Sequence, residues 1–259
     1  MKASFYSPEH QPMKAHHSVL MEKAIGKPFS KDYDWNGDRV EKISKSEVQA
    51  YIDWSSDKIF LTQRDSGEPA DWEWLIDKFK EQMFRYGIDI FVIDAWNKVN
   101  RENPDSLGEI NKAITKVVSF AQSYGVSVIL IAHPTKMRKN ETTGESEVPD
   151  LYSVSGSADF RNQTHNGLVV HRKFKNENTG EEDHVLIGNL KTKFKHQGKI
   201  NETALYEYDM ANGRYNPKGK SKDRSPMFKL KEEQSEIKIT PNMDFASDLD
   251  NTEIIDCPF

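Results

Sequence analysis

The chain has 259 residues, a formal net charge of -5, 30% charged residues and one cysteine, Cys257. One cysteine excludes a disulfide framework and a cysteine-based zinc site, and no apolar run reaches membrane-spanning length. The mild negative charge means that contact with nucleic acid would have to come from local basic loops. With no signal-type apolar segment at the N-terminus, the expectation is a soluble protein of a reducing, cytoplasmic compartment.

Met1 to Tyr6 reads as a short strand broken by Ser7-Pro8-Glu9-His10. Pro12 then opens an amphipathic helix with Met13, His17, Leu20, Met21 and Ala24 inward, closed near Gly26. A second helix is expected from about Arg39 to Trp54, followed by a short strand, Lys58 to Thr62. Asp71 should cap a helix to Tyr86, with Trp74, Leu75, Phe79 and Phe84 buried and Gly87 as its stop.

Asp89 to Asp94 (DIFVID) has the unbroken apolar character of a strand buried on both faces, and it ends in a carboxylate. Asp105 or Ser106 caps a long helix through Leu107, Ile110, Ile114, Val117, Val118 and Ala121, stopped by Gly125. Val126 to Ala132 is a second fully apolar strand, ending at His133. A strand–helix–strand series implies a right-handed crossover and parallel neighbours, so Asp94 and His133 share one sheet edge. Ligands of open α/β sheets bind at that edge, beyond the carboxyl ends of the strands.

Pro134 to Tyr152 lacks periodicity and reads as a mobile loop carrying Lys136, Arg138 and Lys139 among Glu141, Glu145, Glu147 and Asp150. After a polar stretch, Gly167 to His171, His184 to Lys191 and Leu205 to Tyr208 read as antiparallel strands, turning at Asn176–Gly180 and Asn212-Gly213. Residues 217–259 show no periodicity, with five carboxylates and no basic residue after residue 240, and are expected to be a disordered tail.

Glu9, Asp94 and His133 each follow a strand, and this series resembles the RecA-like helicase domain of DnaB-type replicative helicases, nearest the phage primase–helicases and Twinkle. Ser7-Pro8-Glu9 is similar to the family's catalytic glutamate motif, Ile90 to Asp94 to Walker B, and Val128 to Lys136 to the γ-phosphate sensor motif. Ser155 to Arg172 and Leu190 to Phe194 are similar to the two motifs that follow. The resemblance covers roughly residues 1 to 216 and implies a RecA-like P-loop NTPase core, mainly parallel, with antiparallel hairpins at one end.

It further implies roles. Glu9 would activate water, Asp94 would hold Mg²⁺ and His133 would sense the γ-phosphate of ATP or another NTP, while Asn162 would relay that state. Lys191 and Lys193 would reach the nucleotide of a ring neighbour, although the family has arginine at the position of Lys193. Lys136, Arg138 and Lys139, with Asn97 and Lys98 after the Walker B strand, would contact single-stranded DNA. Plainer readings stay open for each: a helix-start carboxylate for Glu9, a strand-end histidine for His133, exposed hairpin lysines and a merely solvated loop.

The family's phosphate cradle, G-x-x-x-x-G-K-[ST], does not occur in these residues. Gly26-Lys27 is followed by Pro28, and Gly219-Lys220-Ser221 has its preceding glycine, Gly213, one residue too far away. The expectation is therefore the C-terminal part of a hexameric, 5′ to 3′ replicative helicase whose P-loop lies on another polypeptide. A RecA- or RadA-like recombination ATPase and a non-hydrolysing DNA- or partner-binding ring subunit are the alternatives. The terminal Glu253 to Phe259 is similar to the acidic tip of bacterial single-stranded-DNA-binding proteins and would dock on a replisome partner such as primase or polymerase, a merely solubilising tail being the plainer reading.

Overall fold

The apolar run before Asp94 forms the centre of the larger core. The computed structural model describes residues 1–30, 39–64, 68, 70–103, 106–139, 145–154, 157–175 and 183–229. Asp105, Glu141, the Asn176–Gly180 turn and everything beyond residue 229 lie outside the described residues. In chain order the elements are β1 (Ala3–Tyr6), α1 (Met13–Ile25), α2 (Lys45–Ser55), β2 (Ile59–Thr62), α3 (Trp72–Tyr86) and β3 (Ile90–Asp94). A 3₁₀ turn (Trp96–Lys98), α4 (Leu107–Tyr124), β4 (Ser127–Ile131) and α5 (Ser157–Gln163) follow. Then come β5 (Asn166–Lys173), β6 (His184–Thr192), β7 (Thr203–Tyr208) and β8 (Tyr215–Pro217).

The protein is mixed α/β, with a parallel four-stranded sheet in the order β2-β1-β3-β4 and a separate antiparallel sheet in the order β5-β6-β7-β8. Tyr6 pairs in register with Ile93, and Ile93 with Leu130, so the carboxyl ends of β1, β3 and β4 are level. Alternation along β3 sends Phe91 and Ile93 onto α3 and α4, where Phe91 lies 4.4 Å from Phe79 and 5.4 Å from Phe120, ring centre to ring centre. Tyr6 joins the same core, and its hydroxyl accepts from the Ala70 amide at 3.1 Å. On the other face α1 reaches β1, where His16 meets Phe5 edge-on at 5.8 Å.

Local signals explain most helix ends. The Asp71 side chain accepts from the Trp74 amide at 2.8 Å and caps α3 as expected. Helix α2 begins at Lys45, later than the expected Arg39, because Ser44 and Glu47 form a capping box at that point. Phe84 and Leu107, expected inward, are 74% and 65% exposed, since each lies at a helix terminus beyond the cover of the sheet. In α1 the buried set is His16, Met21, Ala24 and Ile25, while Met13 is exposed. The polar stretch before Gly167 contains α5, which packs along α4 through Asn111–Asp159 and Thr115–Gln163 hydrogen bonds.

The described part of 134–152 forms no helix or strand, as expected of a loop, but it is tied at its base; the start of the tail is corrected. Thr135 donates twice to the Ser153 carbonyl, Glu147 donates to the Arg138 carbonyl, and Lys139 bridges Ser146, which closes the excursion at its base. Residues 217–229 belong to the packed domain and not to the tail. Arg224 grips the buried Asp209 through two bonds of 2.9 and 3.2 Å, Met227 donates to the Ala24 carbonyl, and Phe228 stacks on Trp54 at 5.0 Å. Gly26, at φ 87°, ends α1 where the Arg224 backbone leaves no room for a Cβ. The packing of this segment depends on contacts between residues nearly 200 positions apart, for which periodicity gives no sign.

Candidate functional site

The level strand ends bring three sequence-predicted residues to one rim. His133 follows β4 by two residues, and its Nε2 is 3.6 Å from Glu9 Oε2. The other Glu9 oxygen, Oε1, is 3.5 Å from Lys98 Nζ. Glu9 therefore lies between an imidazole and an ammonium. Asp94 closes β3 beside them, and the Ser7 hydroxyl donates to Asp94 Oδ2 at 3.4 Å.

Sequence reasoning missed two members of this rim. Ser7 shares a 2.7 Å hydrogen bond with His10 Nδ1, which itself stands 3.6 Å from Asp94 Oδ2. His10 in turn stacks on His16 at 4.8 Å. Burial first, then the charges possible on His10 and His17 and that of Lys23, lowers the His16 pKa to about 4. Their only sequence signal was adjacency to Glu9, which is too weak to select one serine and one histidine among many.

Lys98 was expected to contact DNA. It stands instead against the acid of the rim, while Asn97 beside it is exposed on the 3₁₀ turn. The turn is anchored by Trp96, which contacts Trp72 at 4.9 Å, Phe160 of α5 at 5.0 Å and the Arg101 guanidinium at 4.7 Å. Lys136, Arg138 and Lys139 are exposed along the excursion that leaves the rim after His133.

Lys191, Lys193 and Asn162 are not brought to this rim. Helix α4 runs back from the rim to the start of β4, and Gln122 near its end contacts His165, one residue before β5. Lys191 pairs in register with Gly167 there, at the amino ends of the parallel strands. Its ammonium donates to the carbonyls of Arg161 and, at 3.3 Å, Asn162, so within this chain it caps the C-terminal end of α5. Burial, then the charges of Arg161 and Lys193, lowers the Lys191 pKa below the ordinary lysine value. Lys193 is exposed, with Nζ 5.8 Å from the centre of the Phe194 ring.

Among the described residues no group of three or more His, Cys, Asp or Glu side chains is arranged to hold a metal. A lone carboxylate with a neighbouring hydroxyl suits Mg²⁺, which keeps several waters and takes its remaining ligands from substrate phosphates. Among the described residues no helix is long and apolar enough to cross a membrane.

No protein-family model matches the chain. Over 206 residues it is 32% identical to the Twinkle homolog protein, chloroplastic/mitochondrial, of Arabidopsis thaliana. The likeness to this Twinkle homolog extends over most of the chain's own length. The match takes in 78% of this chain but only 28% of the Twinkle homolog, so the chain spans little more than a quarter of that relative.

Proposed function

We propose that the chain is the C-terminal part of a replicative DNA helicase that couples NTP hydrolysis to 5′ to 3′ translocation on single-stranded DNA. The observation that carries this reading is the convergence of Glu9, Asp94 and His133 on one level rim, with Glu9 and His133 3.6 Å apart. The Twinkle-like relation supports it.

In this reading Asp94 holds Mg²⁺ through water, with Ser7 fixing the orientation of its carboxylate. The ion, when bound, neutralises charge on the β- and γ-phosphates. Glu9 orients and deprotonates the attacking water, and Lys98 holds its other carboxylate oxygen. His133 hydrogen-bonds the γ-phosphate and reports its loss to the basic excursion behind it, where Lys136, Arg138 and Lys139 grip DNA phosphates. Asn162, beside the Lys191 anchor, relays the same state. Lys191 and Lys193 lie at the opposite end of α4 from the rim, so they serve a neighbour's nucleotide in a hexameric ring. Because Lys191 is already held by α5, Lys193 is the better finger. The triphosphate cradle is a P-loop outside these residues, and the acidic tip ending at Phe259 docks on a replisome partner.

The test is DNA-stimulated ATP hydrolysis and forked-duplex unwinding by the chain combined with a P-loop polypeptide, against Asp94→Asn. Unwinding that Asp94→Asn abolishes is the expected result. Strand exchange without unwinding would assign a RecA-like recombination ATPase, and DNA binding without turnover would assign a non-hydrolysing subunit.

A further inference from the structure

Beyond β1 the chain reverses in a tight turn, Ser7-Pro8-Glu9-His10, closed by the His10 amide donating to the Ser7 carbonyl at 3.0 Å. Serine at the first position and proline at the second suit such a turn, so the backbone closes it without help from the His10 side chain. The turn divides its residues. Glu9 meets His133 and Lys98, whereas the His10 ring folds back to Ser7, with Nδ1 2.7 Å from the hydroxyl and 3.6 Å from Asp94 Oδ2. Ser7 is buried, so little water competes for its hydroxyl.

Helix α1 holds the ring from behind. His16, itself buried, stacks on His10 at 4.8 Å with the ring planes 24° apart, and Phe5 meets His16 edge-on. The His10 side chain is 43% exposed, so it buries little apolar surface. What places it is its nitrogen more than its packing.

The order of protons follows from the hydroxyl. A serine side chain carries one hydrogen and donates once. That hydrogen goes to Asp94 Oδ2 at 3.4 Å, so in the 2.7 Å bond the hydroxyl oxygen accepts and His10 Nδ1–H donates. In the opposite tautomer the bare Nδ1 would take the serine hydrogen, and Asp94 would lose it. We infer that His10 is a positioning residue: donating from Nδ1, it turns the Ser7 hydroxyl toward Asp94 and so fixes the carboxylate that closes β3. Partners of this kind orient a metal-holding carboxylate without touching the ion. The inference rests on the proposed function for what Asp94 does, though not for how Asp94 is held.

Nuclear magnetic resonance of the full chain tests it without nucleotide. In the unaltered protein the ring nitrogen shifts should show Nδ1 protonated, and three-bond couplings should show Asp94 in a single χ1 rotamer. His10→Phe keeps the stack on His16 and removes the donor, and the Asp94 rotamer should then average. His10→Asn puts an amide N–H where Nδ1 stood and should restore the single rotamer. Manganous ion alone is the second readout. The concentration that half-broadens the Asp94 amide signal should rise about tenfold in His10→Phe and recover in His10→Asn. A bare Nδ1 in the unaltered chain overturns the inference, whether or not either variant folds. So does an Asp94 rotamer that His10→Phe leaves fixed, or one that His10→Asn fails to restore. A rotamer that behaves as expected while manganese never reaches Asp94 upholds the positioning and counts against the metal role in the proposed function. Manganese bound at Asp94 equally in all three chains, with the rotamer fixed throughout, does the reverse.

Discussion

His133 Nε2 and Glu9 Oε2 face each other at 3.6 Å although β3 separates their strands in the sheet. Each residue lies beyond the end of its strand, so both side chains can reach across Asp94. This places two carboxylates and an imidazole on one rim of the parallel sheet. Glu9→Gln should keep nucleotide affinity and lose turnover by about a hundredfold or more in the P-loop-complemented complex, as expected when only water activation is removed. His133→Ala should instead uncouple hydrolysis from DNA stimulation. Single-turnover hydrolysis with and without single-stranded DNA separates the two.

The basic excursion makes a prediction that needs no hydrolysis. Lys136, Arg138 and Lys139 are exposed on a segment closed by the Thr135–Ser153 contact. Replacing all three by glutamine should weaken binding to single-stranded DNA and lower the slope of log K against log salt by about 2. Fluorescence anisotropy across a salt series reads this directly, and an unchanged slope would remove the excursion from the DNA path.

The clasp between Asp209 and Arg224 concerns stability. Asp209 is 1% exposed; burial works to raise its pKa, but the Arg224 bonds and the Ala211 amide outweigh it and hold the carboxyl below its usual range. A carboxylate depressed in the folded state stabilises above its unfolded pKa, and that stability is lost as pH falls through the folded value. Arg224→Ala should therefore cost about 3 kcal/mol near neutral pH, by leaving a buried charge unpaired. The cost should shrink below about pH 4, where the unfolded carboxyl is already protonated. Urea unfolding at several pH values measures it.

His16 acts in a higher window. Its folded pKa is about 4 against an ordinary 6.5, so the unfolded chain binds the proton first as the solution is acidified. The fold should lose stability progressively from about pH 6.5 down to about 4, by up to about 3 kcal/mol. His16→Phe, which keeps a ring against Phe5 and His10, should flatten the thermal midpoint across that range.

Most helices and strands were legible because each announces itself locally. The Asp71 cap, the glycines after α3 and α4 and the unbroken apolar runs of β3 and β4 all act within a few residues of where they stand. The Ser44–Glu47 box was equally local, and the later start of α2 follows from it. Helix α5 was hidden because it is short and mostly polar, tied to α4 through side-chain bonds from Asp159 and Gln163. Asp94 and His133 were legible as neighbours because crossover handedness places both at one sheet edge. Glu9 needed a family resemblance, since one acid after one short strand has no distinguishing pattern.

From the chain of residues alone came the alternation of strands and helices, the parallel-then-antiparallel order and the residues at each strand end, for hydrophobic period and turn chemistry are local. Three matters were decided only in three dimensions. Ser7 and His10 join Asp94, Lys191 is held by the carbonyls of α5, and β4 becomes an exposed edge, although its sequence reads as buried. The reason is common to all three: strand order and side-chain partners depend on which distant segments pack together, and apolar residues record a need for cover without naming what supplies it.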